Sequence, residues 1–358
     1  MEDEAEFDAR KFLDDLARSG ADHAQVVAAR PSAPELADSM KTLIGLFYEF
    51  LDAYRVEAAE ARSEEPEQTY EWYPLAGSTC EADYDWLQPY VLEFCAAQKP
   101  VSLQWLGTNP TRNPSSWRVD HLKRCLNTVI DNLSAIGTLV SSADHLRAPI
   151  TLARSALEAA AMGCYLVDET VTREERLRRT LNLHFQDLTE SLMGGPVDGH
   201  EGEDELEIQE LMAFATLLGM KVTQPARKYL APVILAEGRS QRDSTARLLD
   251  ELLPDLGRSM WRSLSAVAHS RAATGSLLPD EHVLPHKLKP WQRTEAVAWH
   301  TLPSLFVLAE LSTRMNSGMG WDLSEFYEAI QAITYQWATA GGLYDKQIRE
   351  DLGLPARG

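Results

Sequence analysis

Apolar residues recur at three- and four-residue intervals along most of this chain, the spacing that gives a helix one buried face. The clearest case opens at Ser32-Ala33-Pro34-Glu35, a capping-box pattern with proline in the first turn. It continues through Leu36, Met40, Leu43, Ile44, Phe47, Phe50, Leu51 and Tyr54. A second run, Val119, Leu122, Leu126, Val129, Ile130, Leu133, Ile136 and Val140, predicts a core helix over residues 115–140. Residues 143–167 predict a central helix, because Ala156, Ala159, Ala160 and Ala161 allow close approach. The same periodicity predicts helices over 2–19, 86–97, 172–193, 204–220, 224–236, 242–253, 255–270, 291–315 and 323–341.

Turn residues punctuate this pattern. Pro66, Pro74 and Gly77 mark a loop, and Pro100, Gly107, Asn109-Pro110 and Asn113-Pro114 mark a boundary. The expected organisation is an acidic N-terminal helical region (1–98), a linker (99–114) and a helical bundle with additional C-terminal helices (115–358). No alternating strand pattern and no repeat of 20–50 residues is present in the sequence. The fold class expected is all-α, a multi-helix bundle.

Composition narrows the setting. With 44% hydrophobic and 25% charged residues among 358, the chain has the make-up of a globular protein able to bury a large core. The start, Met1-Glu2-Asp3-Glu4, lacks the basic region of a secretory signal, so a cytoplasmic protein is expected. The apolar stretch over 296–311 is interrupted by His300, Pro303 and Glu310 and falls short of the roughly 20 residues that span a bilayer. It predicts a buried core helix and no membrane partner. Cys80, Cys95, Cys125 and Cys164 form no C-x-x-C pair and are expected as reduced, buried thiols.

The formal net charge of −20 repels phosphate backbones and weighs against extended duplex binding. Its distribution is uneven. Residues 1–100 hold 8 Lys/Arg against 22 Asp/Glu, whereas residues 223–293 hold 11 against 7, so the latter region alone can attract an anion.

Candidate chemistry falls in that basic region. On a helix through Arg258-Ser-Met-Trp-Arg262-Ser-Leu-Ser-Ala-Val-Ala-His269, Trp261, Leu264 and Ala268 share one face, and Arg258, Arg262, Ser265 and His269 the neighbouring one. Seven residues turn a helix by about 700°, so Arg262 and His269 project the same way roughly 10 Å apart. A guanidinium suits phosphate oxygens, and an imidazole near a helix C-terminus is favoured as imidazolium.

Arg262-x6-His269 resembles the R-x(4–6)-H motif of the HEPN superfamily, helical-bundle proteins that include metal-independent ribonucleases. The segment Leu152-Ala-Arg154-Ser-Ala-Leu-Glu158-Ala-Ala-Ala-Met-Gly-Cys-Tyr165-Leu166 is similar to an earlier core helix of HEPN-like bacterial families. The resemblance spans roughly residues 115–274. One departure is Ser263, where active members commonly carry Asn, Asp or His after the arginine.

The resemblance implies cleavage of RNA by its own ribose 2′-hydroxyl, with His269 in proton transfer and Arg262 stabilising the phosphorane. Arg258, Ser265, Arg154 and Glu158 would support the site or contact phosphate. It further implies no metal or other cofactor, a homodimer in which two motifs form one cleft, and a bacterial defence or toxin setting. Two alternatives stay open: Arg262 pairs with a carboxylate such as Glu158 while His269 is a core or capping histidine, and the chain is a non-catalytic helical scaffold for a protein partner.

Other motifs carry less. Glu281, His282 and His286 have ligand-like spacing, but Pro279 and Pro285 break any helix there. Asp14-Asp15 lacks the downstream residues of a diphosphate site. Ser265 with His269 lacks an orienting carboxylate for a hydrolase triad. Trp261, Trp291, Trp299, Trp321 and Trp337 are expected as core or interface anchors. No phosphate-cradling or dinucleotide glycine fingerprint is present.

Overall fold

Alanine and glycine on one helix set the spacing of the others. In the computed structural model, which describes residues 31–62, 78–103, 114–142, 145–194, 202–224, 230–235, 244–254, 257–268 and 288–342, that helix is α4 (Arg147–Leu166). Its numbering follows α1 (Ala33–Arg62), α2 (Thr79–Gln98) and α3 (Ser116–Leu139). Ala153, Ala156, Ala160, Ala161 and Gly163 of α4 are buried, and α3 and α9 (Pro290–Met319) pack closely on it. A Cβ at Gly163 would lie 2.9 Å from Leu311 Cδ2. The Ser304 hydroxyl of α9 donates to the Ala153 carbonyl at 2.7 Å, a contact that only small side chains at the crossing permit.

Helix α1 begins as its capping box predicts: the Ser32 amide donates to Glu35 Oε2 at 2.6 Å, and the Glu35 amide to Ser32 Oγ at 3.5 Å. It packs on α3 and on α10 (Ser324–Ala340). Met40 fills the space left by Gly137 of α3, whose added Cβ would meet Met40 Cβ at 2.9 Å. Trp337 of α10 donates its indole N–H to Ser39 at 3.3 Å.

Helix α9 is buried along most of its length, as its apolar stretch predicts, and several of its hydroxyls donate to carbonyls one turn earlier, among them Thr301 to Val297 and Ser312 to Leu308. Burial pushes His300 below its ordinary pKa, so the ring is neutral and its Nδ1–H donates to the Ala296 carbonyl at 2.6 Å. Glu310 accepts from Arg314 at 2.5 Å, and Arg314 also faces Asp168. No helix among the described residues is long and apolar enough to cross a membrane.

A second hydrophobic cluster forms where α2 meets α5 (Arg173–Gly194) and α6 (Glu203–Leu217), around Phe94, Leu181, Phe185, Leu211 and Phe214. Beside it, β1 (Val222–Thr223) and β2 (Val233–Ile234) pair antiparallel. This corrects the helix expected over 224–236 at its described residues, 224 and 230–235; the remainder lies outside them. Pro232 has no N–H to donate, Val233 and Ile234 are β-branched, and the Asn182 side chain of α5 both donates to Ile234 O (2.9 Å) and accepts from Ile234 N (2.8 Å). Every other regular element among the described residues is a helix, and the fold is an all-α bundle. The expected helix over 2–19 and most of both loops lie outside the described residues.

Charge is also buried in this second cluster. Asp83 of α2 accepts from Arg118 Nη1 of α3 (2.6 Å) and from Arg176 Nε and Nη2 of α5 (2.7 and 2.8 Å). Glu175 binds both Arg178 and Arg179, and Arg179 also reaches Asp168. Burial opposes ionisation of Asp83, but the bonds and charges of Arg176 and Arg118 outweigh it and hold the carboxyl below the ordinary carboxylate range.

A group with a depressed folded pKa contributes stability that is complete at neutral pH and is lost as pH falls through that depressed value. Asp83→Asn, which leaves two buried guanidiniums without their carboxylate, is expected to destabilise by about 3–5 kcal/mol in urea unfolding at neutral pH. The gap from the wild type should narrow in acid, below the ordinary carboxylate range. A variant as stable as the wild type at neutral pH would show the junction to be energetically idle.

Candidate functional site

The predicted Arg/His helix is α8 (Gly257–Ala268), the second arm of a tight hairpin with α7 (Thr245–Leu252). Gly257 makes the hairpin possible. A Cβ there would lie 1.9 Å from the Leu249 carbonyl oxygen, so backbone meets backbone. Asp250 holds the start of α8, accepting the Arg258 amide at 2.9 Å and the Arg258 guanidinium at 2.5 Å. A carboxylate at this position also complements the positive end of the helix dipole.

Helix α8 packs on α4 through Leu264 and Val267, with Trp261 half-buried beside them. The buried stripe is therefore centred on Leu264 and Val267, and Ala268 is half-buried at its margin. The Trp261 indole donates to Glu158 Oε1 of α4 at 2.6 Å, and Arg154 Nε donates to the same oxygen at 2.9 Å. The Arg154 guanidinium lies 5.6 Å from the Trp261 ring centre, within cation–π range. Arg154 and Glu158 thus meet α8 through Trp261, the residue assigned from the sequence only to packing.

Arg262 is exposed and has no ion-pair partner among the described residues, while Ser265 is half-buried. Glu158 is occupied by Trp261 and Arg154 rather than by Arg262. Arg258 is exposed but tied to Asp250. His269, directly after the last residue of α8, lies outside the described residues, as do Glu281, His282, His286 and Asp14-Asp15. The structure therefore brings together Arg154, Glu158 and Trp261 and presents Arg262 on the outer side of the same helix.

A polar cluster that the sequence did not flag joins α3, α5 and α6. Trp117 and His184 stack with ring centres 4.0 Å apart and planes 14° apart, and His184 Nε2 lies 3.0 Å from Glu207. His121 is pushed down to about 3, first by burial and then by Arg124 and His184. It is neutral, and because Arg124 can only donate, His121 Nδ1 accepts from it at 2.6 Å. Arg124 also pairs with Asp187. Its members are spread over residues 117–207, with no local motif to reveal it.

None of the thiols is a strong nucleophile candidate. Cys80 and Cys164 are buried, Cys95 and Cys125 are half-buried rather than fully buried as expected, and none forms a disulfide. Burial pushes Cys125 up to about 12. Among the described residues no three His, Cys, Asp or Glu side chains are placed to hold a metal ion. No family model matches the chain, and no curated protein or solved structure matches it significantly.

Trp261→Phe keeps an aromatic ring at the α8–α4 contact, though a smaller one, and removes the indole donor to a carboxylate; it is expected to destabilise by about 1.5–3 kcal/mol in chemical unfolding. Combined with Glu158→Gln, the losses should fall short of additive; full additivity would show that the two groups do not interact. Gly257→Ala is expected to destabilise by about 1–3 kcal/mol through the α7–α8 backbone contact, and an unchanged melting temperature would contradict the close approach.

Proposed function

We propose that the protein binds single-stranded RNA at the outer face of α8 and cleaves it without a metal, with Arg262 and His269 as the reacting pair. The observation that carries this reading is the exposed guanidinium of Arg262, which has no ion-pair partner among the described residues, on a helix fixed to the core by the Trp261–Glu158 bond. A cation on a helix fixed to the core can meet a phosphate without any shift of the backbone that carries it, and its charge is then available to the transition state.

In the proposed reaction the ribose 2′-oxygen attacks the adjacent phosphorus while His269 acts in proton transfer, and the bond to the 5′-oxygen breaks. Arg262 offsets the charge that builds on the phosphorane oxygens. The resemblance to the HEPN superfamily adds a homodimer with two facing motifs, a cytoplasmic location and a bacterial defence or toxin role.

A second reading, a non-catalytic scaffold for a protein partner, is favoured by the overall charge of −20, which repels RNA everywhere except near the basic 223–293 stretch.

The full chain incubated with single-stranded RNA and a chelator should release cyclic-phosphate ends. His269→Ala should abolish the cleavage with the helical circular-dichroism signal unchanged, and Arg262→Ala should slow it by about a hundredfold or more. Equal cleavage by wild type and His269→Ala would dismiss the catalytic assignment. RNA binding without cleavage would leave an RNA-binding protein, and neither would leave the scaffold.

A further inference from the structure

Glu158 of α4 has one oxygen fixed and the other open. Oε1 accepts both the Trp261 indole N–H (2.6 Å) and Arg154 Nε (2.9 Å), which occupies its two lone pairs. Oε2 has no hydrogen-bond partner among the described residues, and 33% of the side chain is exposed. A carboxylate oxygen in an ion pair only accepts, so Oε2 presents an acceptor to whatever meets it.

Helix geometry places this acceptor at the edge of the face that carries Arg262. At about 100° per residue, buried Leu264 lies about 60° to one side of Trp261, while Ser265, Arg258 and Arg262 lie about 40°, 60° and 100° to the other. A strip of surface therefore runs from the Glu158 contact at its inner edge to Arg262 at its outer edge, with half-buried Ser265 between them. Arg258 shares the strip but is held by Asp250 at 2.5 Å, which leaves Arg262 to meet a phosphate.

Like charge excludes Glu158 from contact with the phosphate itself, so what Oε2 can receive is a neutral donor. Arg154, bonded to the same carboxylate, offsets its charge, and a nucleotide is not repelled as a whole. The bases differ in what they offer. Cytosine N4 and adenine N6 present an amino donor where uracil presents the O4 acceptor, which a carboxylate repels.

We infer that Glu158 is a specificity-determining residue of the α8 face: its Oε2 accepts from the exocyclic amino group of a base whose phosphate lies on Arg262, so that cytosine or adenine is favoured over uracil. This specificity rests on the single-stranded RNA reading of α8 and adds to it which bases are taken.

The test is titration calorimetry of the full chain with short 2′-O-methyl strands of cytidine, adenosine or uridine, whose blocked 2′-oxygen separates binding from cleavage. The cytidine or the adenosine strand should bind about tenfold or more tightly than the uridine strand, and the two arms identify which amino base is preferred. In Glu158→Gln the indole and Arg154 still require an acceptor at Oε1, so the substituted amide turns its NH2 toward the strip. Preference should then shift toward the uridine strand by about tenfold or more, whereas mere loosening of the α8–α4 contact weakens every strand alike. Arg262→Ala should weaken all strands by similar factors and leave their ratio unchanged. A strand of N4,N4-dimethylcytidine, which has no amino hydrogen, should bind about tenfold or more weakly than cytidine, and it decides the matter should Glu158→Gln fail to fold. Binding without discrimination, the same discrimination in Glu158→Gln, or undiminished binding of the dimethylated strand overturns the role of Glu158 and leaves the RNA reading standing. No binding of any strand overturns that reading and this specificity with it.

Discussion

The fold depends on how closely helices can approach α4. A helix with leucine or phenylalanine at every buried position holds its neighbours about 10 Å away, whereas alanine and glycine let axes come nearer and bring backbone within reach of side chains. That is why Ser304 can bond to a carbonyl of α4 and why Leu311 occupies the place of a missing Cβ at Gly163. With α3 and α9 seated this way, α7 and α8 also pack against α4, and the position of Arg262 follows from that docking. The geometry of the candidate site is thus a consequence of small residues one helix away.

Much of this was legible in the sequence because helical periodicity is a local signal. The capping box at Ser32, the apolar face of α3, the alanine-rich interior of α4 and the buried run in α9 all follow from residues within a few turns of one another. What the sequence could not show is non-local. Trp261 looked like a core residue, and only the packing of α8 on α4 turns its indole toward Glu158. The segment near Ile234 read as helical, yet Asn182, 52 residues earlier in the chain, satisfies its backbone in extended form. Gly257 carried no special signal, since the backbone it must avoid belongs to the other arm of the hairpin.

The charges divide the molecule in a way that composition alone obscures. A net charge of −20 suggests an acidic surface, but α5 buries three arginines, Arg176, Arg178 and Arg179, beside its leucines and Phe185. Their hydrogen bonds reach carboxylates, the Tyr165 hydroxyl and several backbone carbonyls, so each guanidinium is held in a defined orientation. Leucines at these positions would tolerate small rotations of α5; planar groups with directional donors do not. The helix is therefore fixed in register as well as packed.

The shared carboxylate of Asp83 also bears on the order in which the chain assembles. It joins partners 35 and 93 residues away in sequence, so its bonds close only after two sizeable loops have been drawn together. Loop-closure entropy opposes forming such a junction early, whereas the contacts within α3 or α4 need no distant partner. Interactions made after the folding barrier is crossed leave the folding rate nearly untouched and act on the rate of opening. The three-helix ion cluster accordingly governs how long the folded molecule lasts more than how quickly it forms.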